Sequence, residues 1–211
     1  MRDYAIPFPE PFPHLIADGL WDDDLLRAVS EEFPDPSIPE WRRFENSSER
    51  KLEGAPGLWG KATRDLFEQI KAATPQLEDA FGIAGLRMET VGGGYHLIPP
   101  GGYLAVHADF NRSPQTGWFR RLNHLIYLND SWDDPGGHLE LWDDEGRVAD
   151  ISPEFNRTVV FETSDHSWHG HPTPAGRWRK SIAAYFFTEQ APPGYTTEHS
   201  TLWHAEARRA P

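Results

Sequence analysis

The sequence predicts an α+β chain in which a jelly-roll, cupin-like barrel follows N-terminal supporting helices. Two patterns carry the prediction, and the length allows it. From residue 86 onward, short apolar runs alternate with clusters of Gly, Pro, Asn and Asp, as in antiparallel strands joined by turns. Before residue 86 the apolar residues recur at helical spacing instead. With 211 residues, 38% hydrophobic and 25% charged, the chain suits a single domain able to bury a sizeable core. It divides into a helical support segment over 1–85, a barrel over 86–190 and a C-terminal tail over 191–211.

The elements follow in order. Residues 7–13 read Pro-Phe-Pro-Glu-Pro-Phe-Pro, where ring-fixed φ angles and missing amide donors predict an extended strap over the surface. Leu20, Leu25, Val29 and Phe33 are spaced near four, with Asp22 to Asp24 at the favourable end of the helix dipole, so 21–33 reads as a helix ended by Pro34. Residues 34–60 show no defensible period and read as a long surface loop. A second helical region covers 61–82 with Ala62, Leu66, Ile70 and Ala73 on one face, and Pro75 breaks it or opens a new turn. Candidate strands are 86–91, 94–98, 102–107, 123–129, 138–142, 146–151, 157–162, 166–171 and 179–187.

Charge and composition narrow the function classes. A net charge of -13 repels phosphate backbones and anionic lipid, which argues against a nucleic-acid or membrane-surface partner. No cysteine occurs, so disulfides, iron–sulfur clusters and thiolate zinc sites are excluded. Any metal must be held by His, Asp or Glu. The first residues, Met1 to Pro7, contain no apolar signal region and no apolar run is long enough to span a bilayer, so a cytoplasmic protein is expected. Oligomeric state is not legible.

Three groups could carry chemistry. His107 and Asp109 lie two apart at the end of the apolar run Tyr103–Val106, so a strand there projects an imidazole and a carboxylate to one face. Downstream, Asp165-His166-Ser167-Trp168-His169-Gly170-His171 can supply a third ligand, completing two histidines and a carboxylate on one face of an iron. Arg179 opens the last long run, and its planar fork suits a carboxylate gripped inside a barrel. Taken singly, each has a plain structural alternative: a His/Asp pair at a strand end, or an arginine paired with a surface acid.

In chain order, His107-x-Asp109, Arg121-Leu122-Asn123 to Tyr127-Leu128-Asn129, Ser131-Trp132, Gly136-Gly137-x-Leu139, Ile151-x-Pro153, Asn156-Arg157, Phe161, His169-Gly170 and Arg179-x-Ser181 resemble the iron(II)- and 2-oxoglutarate-dependent oxygenases. The resemblance spans about 92–188 and is to the prolyl-4-hydroxylase-like branch that includes the oxygen-sensing prolyl hydroxylases. It implies a double-stranded β-helix, Fe(II) as cofactor, and 2-oxoglutarate and O2 as cosubstrates, with ascorbate as an optional reductant. It implies His107, Asp109 and His169 as metal ligands and catalytic triad. It further implies Arg179 on the distal carboxylate of 2-oxoglutarate, assisted by the Tyr127 hydroxyl. His171 is expected to pack beside the site, His166 to be structural, and Trp132 and Trp142 to be core or surface aromatics.

Strand alternation places Asn123, Leu125 and Tyr127 on one inward face and Arg179, Ser181 and Ala183 on another, so Asn123 joins the candidate cosubstrate residues. The implied reaction hydroxylates a C–H bond of a small molecule, amino acid or prolyl residue while 2-oxoglutarate becomes succinate and CO2. The carboxylate of Asp109 stands where halogenating relatives have Gly or Ala, which favours hydroxylation. Two other classes compete: a zinc or cupin-type hydrolase using His107, His169 and His171, and a non-catalytic ligand-binding barrel. The loop 110–121, with Arg112, Arg120 and Arg121, is the expected lid, and 41–60 a second flap.

Overall fold

The computed structural model describes residues 4–204, and in it the apolar runs become strands of two antiparallel sheets. The elements are β1 (His14–Asp18), α1 (Asp23–Glu31), β2 (Arg42–Glu45), β3 (Arg50–Gly54), α2 (Lys61–Ala72), α3 (Thr74–Phe81), β4 (Arg87–Ile98), β5 (Leu104–Ala108), β6 (Phe119–Tyr127), β7 (Leu139–Trp142), β8 (Arg147–Ile151), β9 (Arg157–Glu162), β10 (Trp168–His171), β11 (Arg179–Thr188) and β12 (Leu202–Trp203). The larger sheet runs β1-β9-β6-β11-β4-β3-β2 and the smaller β12-β5-β10-β7-β8. Together they form the two walls of a double-stranded β-helix, with helices packed on the outside of the larger sheet.

Alternation along β6 and β11 decides what faces what. Leu122 and Ile126 of β6, with Ile182 and Phe186 of β11, join a buried cluster with Leu26, Val29, Leu66, Phe67, Ile70 and Leu77 of the helices. Each such side chain contributes about 1.5–3 kcal/mol by leaving water. Their neighbours in the alternation, Leu125 and Tyr127, face the barrel interior with Leu139, Leu141, Val159 and Phe161.

The helices are held at their ends by specific groups. The Asp22 carboxylate accepts the Leu25 amide at 2.9 Å and caps α1. Glu32, just past α1, accepts the amides of Ala62 and Thr63 at 2.7 and 2.8 Å and so caps the first turn of α2 from outside. That one carboxylate ties the end of α1 to the start of α2. Pro75 sits in the first turn of α3, which separates it from α2 at Ala73.

Four expectations need correction. Residues 34–60 are no plain loop: β2 and β3 form a hairpin whose second strand pairs with β4, Leu52 opposite Leu97 and Glu53 opposite His96. Its charged alternation, Arg50-Lys51-Leu52-Glu53, lacks the apolar face by which strands are recognised. The strap over 7–13 is not purely superficial, because Phe12 is buried against Phe161 in the interior cluster, and His14–Asp18 continues as strand β1 along β9. The runs 86–91 and 94–98 are one strand, β4, whose Gly92 and Gly94 take positive φ at an irregularity in its pairing with β11. The expected lid ends early, since residues 119–121 already belong to β6 and Arg120 and Arg121 are buried. Of the C-terminal tail, residues 202–203 form β12 on β5, while 205–211 lie outside the described residues, as do 1–3. Among the described residues no helix is long and apolar enough to cross a membrane.

Candidate metal and cosubstrate site

His107 ends β5 and His169 lies directly opposite it on β10. Close approach of these strands depends on Gly170, where a Cβ would come within 2.8–3.0 Å of the Leu104 and Ala105 backbone. The imidazole centroids are 4.4 Å apart. Asp109 follows β5 and reaches between them, with Oδ1 3.6 Å from His107 Nε2 and Oδ2 3.4 Å from His169 Nε2. One ligand atom from each residue can be chosen so that all three lie within 4.8 Å of one another. Among the described residues this is the grouping of His, Asp and Glu that could hold a metal ion; His171 is not part of it.

The surroundings prepare these groups to be ligands. Nδ1 of His107 lies 2.9 Å from the Ala105 carbonyl and Nδ1 of His169 lies 2.8 Å from the Ser167 carbonyl. A carbonyl can only accept a hydrogen bond, so each Nδ1 carries the proton and donates it, and both Nε2 lone pairs face the centre. Burial, then the neighbouring His107, pushes the His169 pKa down to about 3, so its imidazole is neutral at physiological pH. For Asp109 burial alone would raise the pKa, but Arg120 foremost, with His107 and His169, holds it well below the usual carboxylate range.

Asn123 and Arg120 act together on that carboxylate. Asn123 Nδ2 donates to Asp109 Oδ2 at 2.7 Å, while its own carbonyl accepts Arg120 Nε and Nη2 at 2.9 and 2.7 Å. Arg120 Nη2 is also 3.2 Å from Asp109 Oδ2, and its guanidinium lies 3.7 Å from the Tyr185 ring centre. Asn123 therefore faces inward as expected but spends its amide on Asp109. Arg120 was placed by sequence only in a lid. The pairing of β6 with β11 is irregular between Phe186 and Phe187, and this extra residue brings Arg120 and Asn123 to one face despite their odd spacing. Only the Arg-x-x-Asn pair ahead of Tyr127 could have signalled it.

Arg179 lies deeper in the barrel. It is buried, its Nε donates to the Gly137 carbonyl at 2.7 Å, and its guanidinium sits 4.9 Å from the Tyr127 ring centre. No carboxylate among the described residues pairs with it. The Tyr127 hydroxyl is buried without a hydrogen-bond partner, and so is His171 Nδ1. A buried cation without an anion beside an orphaned hydroxyl is the complement of a carboxylate ligand. His171, expected to pack, lines this inner cavity of about 70 Å³ together with Arg179, Ser181, Asn123 and the three candidate ligands. An outer cavity of about 160 Å³ adjoins it at Lys51, His107, Asp109 and Tyr185, bounded by Arg42, Phe44 and Trp203. His166 is exposed on the turn before β10, Trp132 is core, and Trp142 is half-buried with its Nε1 on Glu140.

The comparisons with known proteins agree with this geometry. The family model described as the 2OG-Fe(II) oxygenase superfamily matches residues 93–187. No curated protein sequence matches significantly. Among solved structures, the chain is similar to a Pseudomonas putida prolyl-4-hydroxylase, with TM-score 0.66 and 21% identity over 84% of this chain and 93% of that one. It is also similar to a Trichoplax adhaerens prolyl hydroxylase solved with a hypoxia inducible factor peptide fragment, with TM-score 0.64 and 18% identity over 83% and 84%. A viral collagen prolyl hydroxylase from Paramecium Bursaria Chlorella virus-1 gives TM-score 0.59 and 12% identity over 84% and 96%. The matched segment, which contains both histidines, the aspartate, the tyrosine and the arginine, is a 2OG-Fe(II) oxygenase domain, the kind of domain that uses Fe(II), 2-oxoglutarate and O2, and the chain around it has the fold of the prolyl-4-hydroxylases.

Proposed function

We propose that this dioxygenase hydroxylates a C–H bond of a small molecule, amino acid or prolyl residue, releasing succinate and CO2. His107, Asp109 and His169 hold the iron, and Arg179 with Tyr127 holds the far carboxylate of 2-oxoglutarate. The observation that carries the reading is that Arg179, buried and with no carboxylate partner among the described residues, lines the cavity that also holds the His-Asp-His group and packs on the Tyr127 ring. Bound iron with 2-oxoglutarate supplies the activation of oxygen and two of the electrons for its reduction.

The chain's own residues do the rest. The two carbonyl-anchored histidines present fixed Nε2 donors, and Arg120 with Asn123 keeps Asp109 ionised and aimed. Arg179 and Tyr127 fix the cosubstrate's far end by charge-assisted hydrogen bonds, which orients its other end toward the triad. The apolar Leu125, Leu139 and Phe161 keep water from the inner wall. The three-histidine hydrolase reading finds no support, because His171 lies outside the ligand grouping and Arg179 would have no task.

The reading is tested by iron binding under anaerobic conditions. His107→Ala, Asp109→Ala and His169→Ala are each expected to lose stoichiometric iron and all 2-oxoglutarate turnover, while His166→Ala keeps both. Iron lost from His171→Ala but retained by His169→Ala would show the wrong third ligand.

A further inference from the structure

Three charged side chains on the wall of the outer cavity are left unused by the iron and 2-oxoglutarate reading above, and one of them, Lys51, reaches the inner cavity as well. Glu49, Lys51 and Glu53 alternate along and just ahead of β3, on the side opposite the buried Leu52 and Gly54. Lys51 Nζ lies 3.2 Å from Glu49 Oε2 and 2.9 Å from Glu53 Oε1, and the three side chains are only 12–14% exposed. Two carboxylates thus share one ammonium. The nearest other cation, Arg42, is 3.8 Å from Glu53 and 71% exposed, so water screens much of its charge. Burying such groups costs free energy that an apolar residue would not, and the hairpin is anchored without them. Its tip is tied to the region of β5 by Arg50 N donating to Tyr103 O at 2.8 Å and Ala105 N donating to Ser48 O at 2.7 Å. The Tyr103 hydroxyl adds a bond to the Asn46 carbonyl at 2.8 Å.

The shape of the cavity points the same way as its charge. Those bonds bring the hairpin over the start of β5, and β12 covers its end, with the Trp203 ring 5.4 Å from that of His107. About 160 Å³ remains beside the candidate metal group between these two covers. A peptide segment would have to leave it at both ends, past the tied hairpin and past Trp203.

We propose that the outer cavity binds a free α-amino acid as its zwitterion, the ammonium against Glu49 and Glu53 and the carboxylate against Lys51. The cavity wall carries neighbouring charges of both signs, as the head group does, so each charged end finds a partner and the shared lysine is relieved. The proposal rests on the oxygenase reading above and narrows its substrate to one class.

Calorimetric titration of the anaerobic protein loaded with iron and 2-oxoglutarate tests it. The probes are the standard free amino acids, the N-acetyl and carboxamide forms of any that bind, and a prolyl pentapeptide capped at both ends. At least one free amino acid is expected to bind, and blocking either end should weaken it roughly 30-fold or more, the loss of one buried charged partner. Lys51→Met should bring the acid and its carboxamide to within about threefold of each other, and Glu53→Gln should do the same for the amine and its N-acetyl form. These ratios would not move if the residues only held the hairpin. Binding of the capped peptide as tightly as any free amino acid overturns the proposal and leaves the oxygenase reading standing, as does failure of every free amino acid on protein that binds 2-oxoglutarate. Failure to bind 2-oxoglutarate at all overturns both.

Discussion

At the scale of single residues, the site depends on groups that aim other groups. Asn123 touches Asp109 at 2.7 Å and nothing on the substrate side replaces that bond. Asn123→Ala is expected to weaken iron about 10- to 100-fold, the usual cost of removing an outer-shell partner, in competition with a chelator. An unchanged iron affinity would show that Arg120 alone suffices. His124, on the opposite face of β6, illustrates a different cost. It is fully buried among Tyr4, Trp21 and Phe186, and burial pushes its pKa down to about 3. Between that value and the ordinary 6.5 the unfolded chain binds a proton that the folded chain refuses. Stability is therefore complete above about pH 6.5 and falls as the pH drops, by about 1.4 kcal/mol per unit for this proton. Urea unfolding between pH 4 and 6 should show a slope smaller by one proton in His124→Phe than in the wild type. Equal slopes would mean that His124 is protonated in the folded state.

At the scale of elements, one glycine and one strand irregularity shape the candidate metal group. Gly170 lets β10 approach β5, so Gly170→Ala, whose methyl would meet the Leu104 and Ala105 carbonyls, should separate His169 from His107. Iron affinity is expected to fall at least tenfold while the far-ultraviolet circular dichroism spectrum is retained. Retained iron affinity would mean that the strands adjust without moving the ligands. These details mark the boundary of what sequence shows. The order of strands from β5 to β11 was legible because each buried face alternates plainly, as in Leu122, Ile126, Ile182 and Phe186. The hairpin of β2 and β3 was not, because a strand that lines a charged cavity carries Lys51 and Glu53 where an interior strand usually carries apolar residues. Arg120 was hidden for another reason: an extra residue in the pairing shifts the period of two by one, and no local composition announces that shift.

At the scale of the whole molecule, the helices pack behind the larger sheet, and the smaller sheet carries both histidines of the candidate metal group. Charge is distributed accordingly. The chain is acidic overall, yet Arg179 and Arg120 are buried at the centre, one facing no anion among the described residues and the other paired with Asp109. That contrast is the main reason to place a dicarboxylate inside. The most direct measurement is a 2-oxoglutarate titration of the anaerobic, iron-loaded protein, followed by the metal-to-ligand charge-transfer band, for the wild type, Arg179→Lys, Arg179→Ala and Tyr127→Phe. Tyr127→Phe should lose on the order of 1 kcal/mol, about fivefold in affinity. Arg179→Ala should lose about 2–5 kcal/mol, roughly 30- to several-thousand-fold, with Arg179→Lys between the two. Equal affinities in all four proteins, or no band in the wild type, would contradict the assignment of the Arg179 pocket to 2-oxoglutarate.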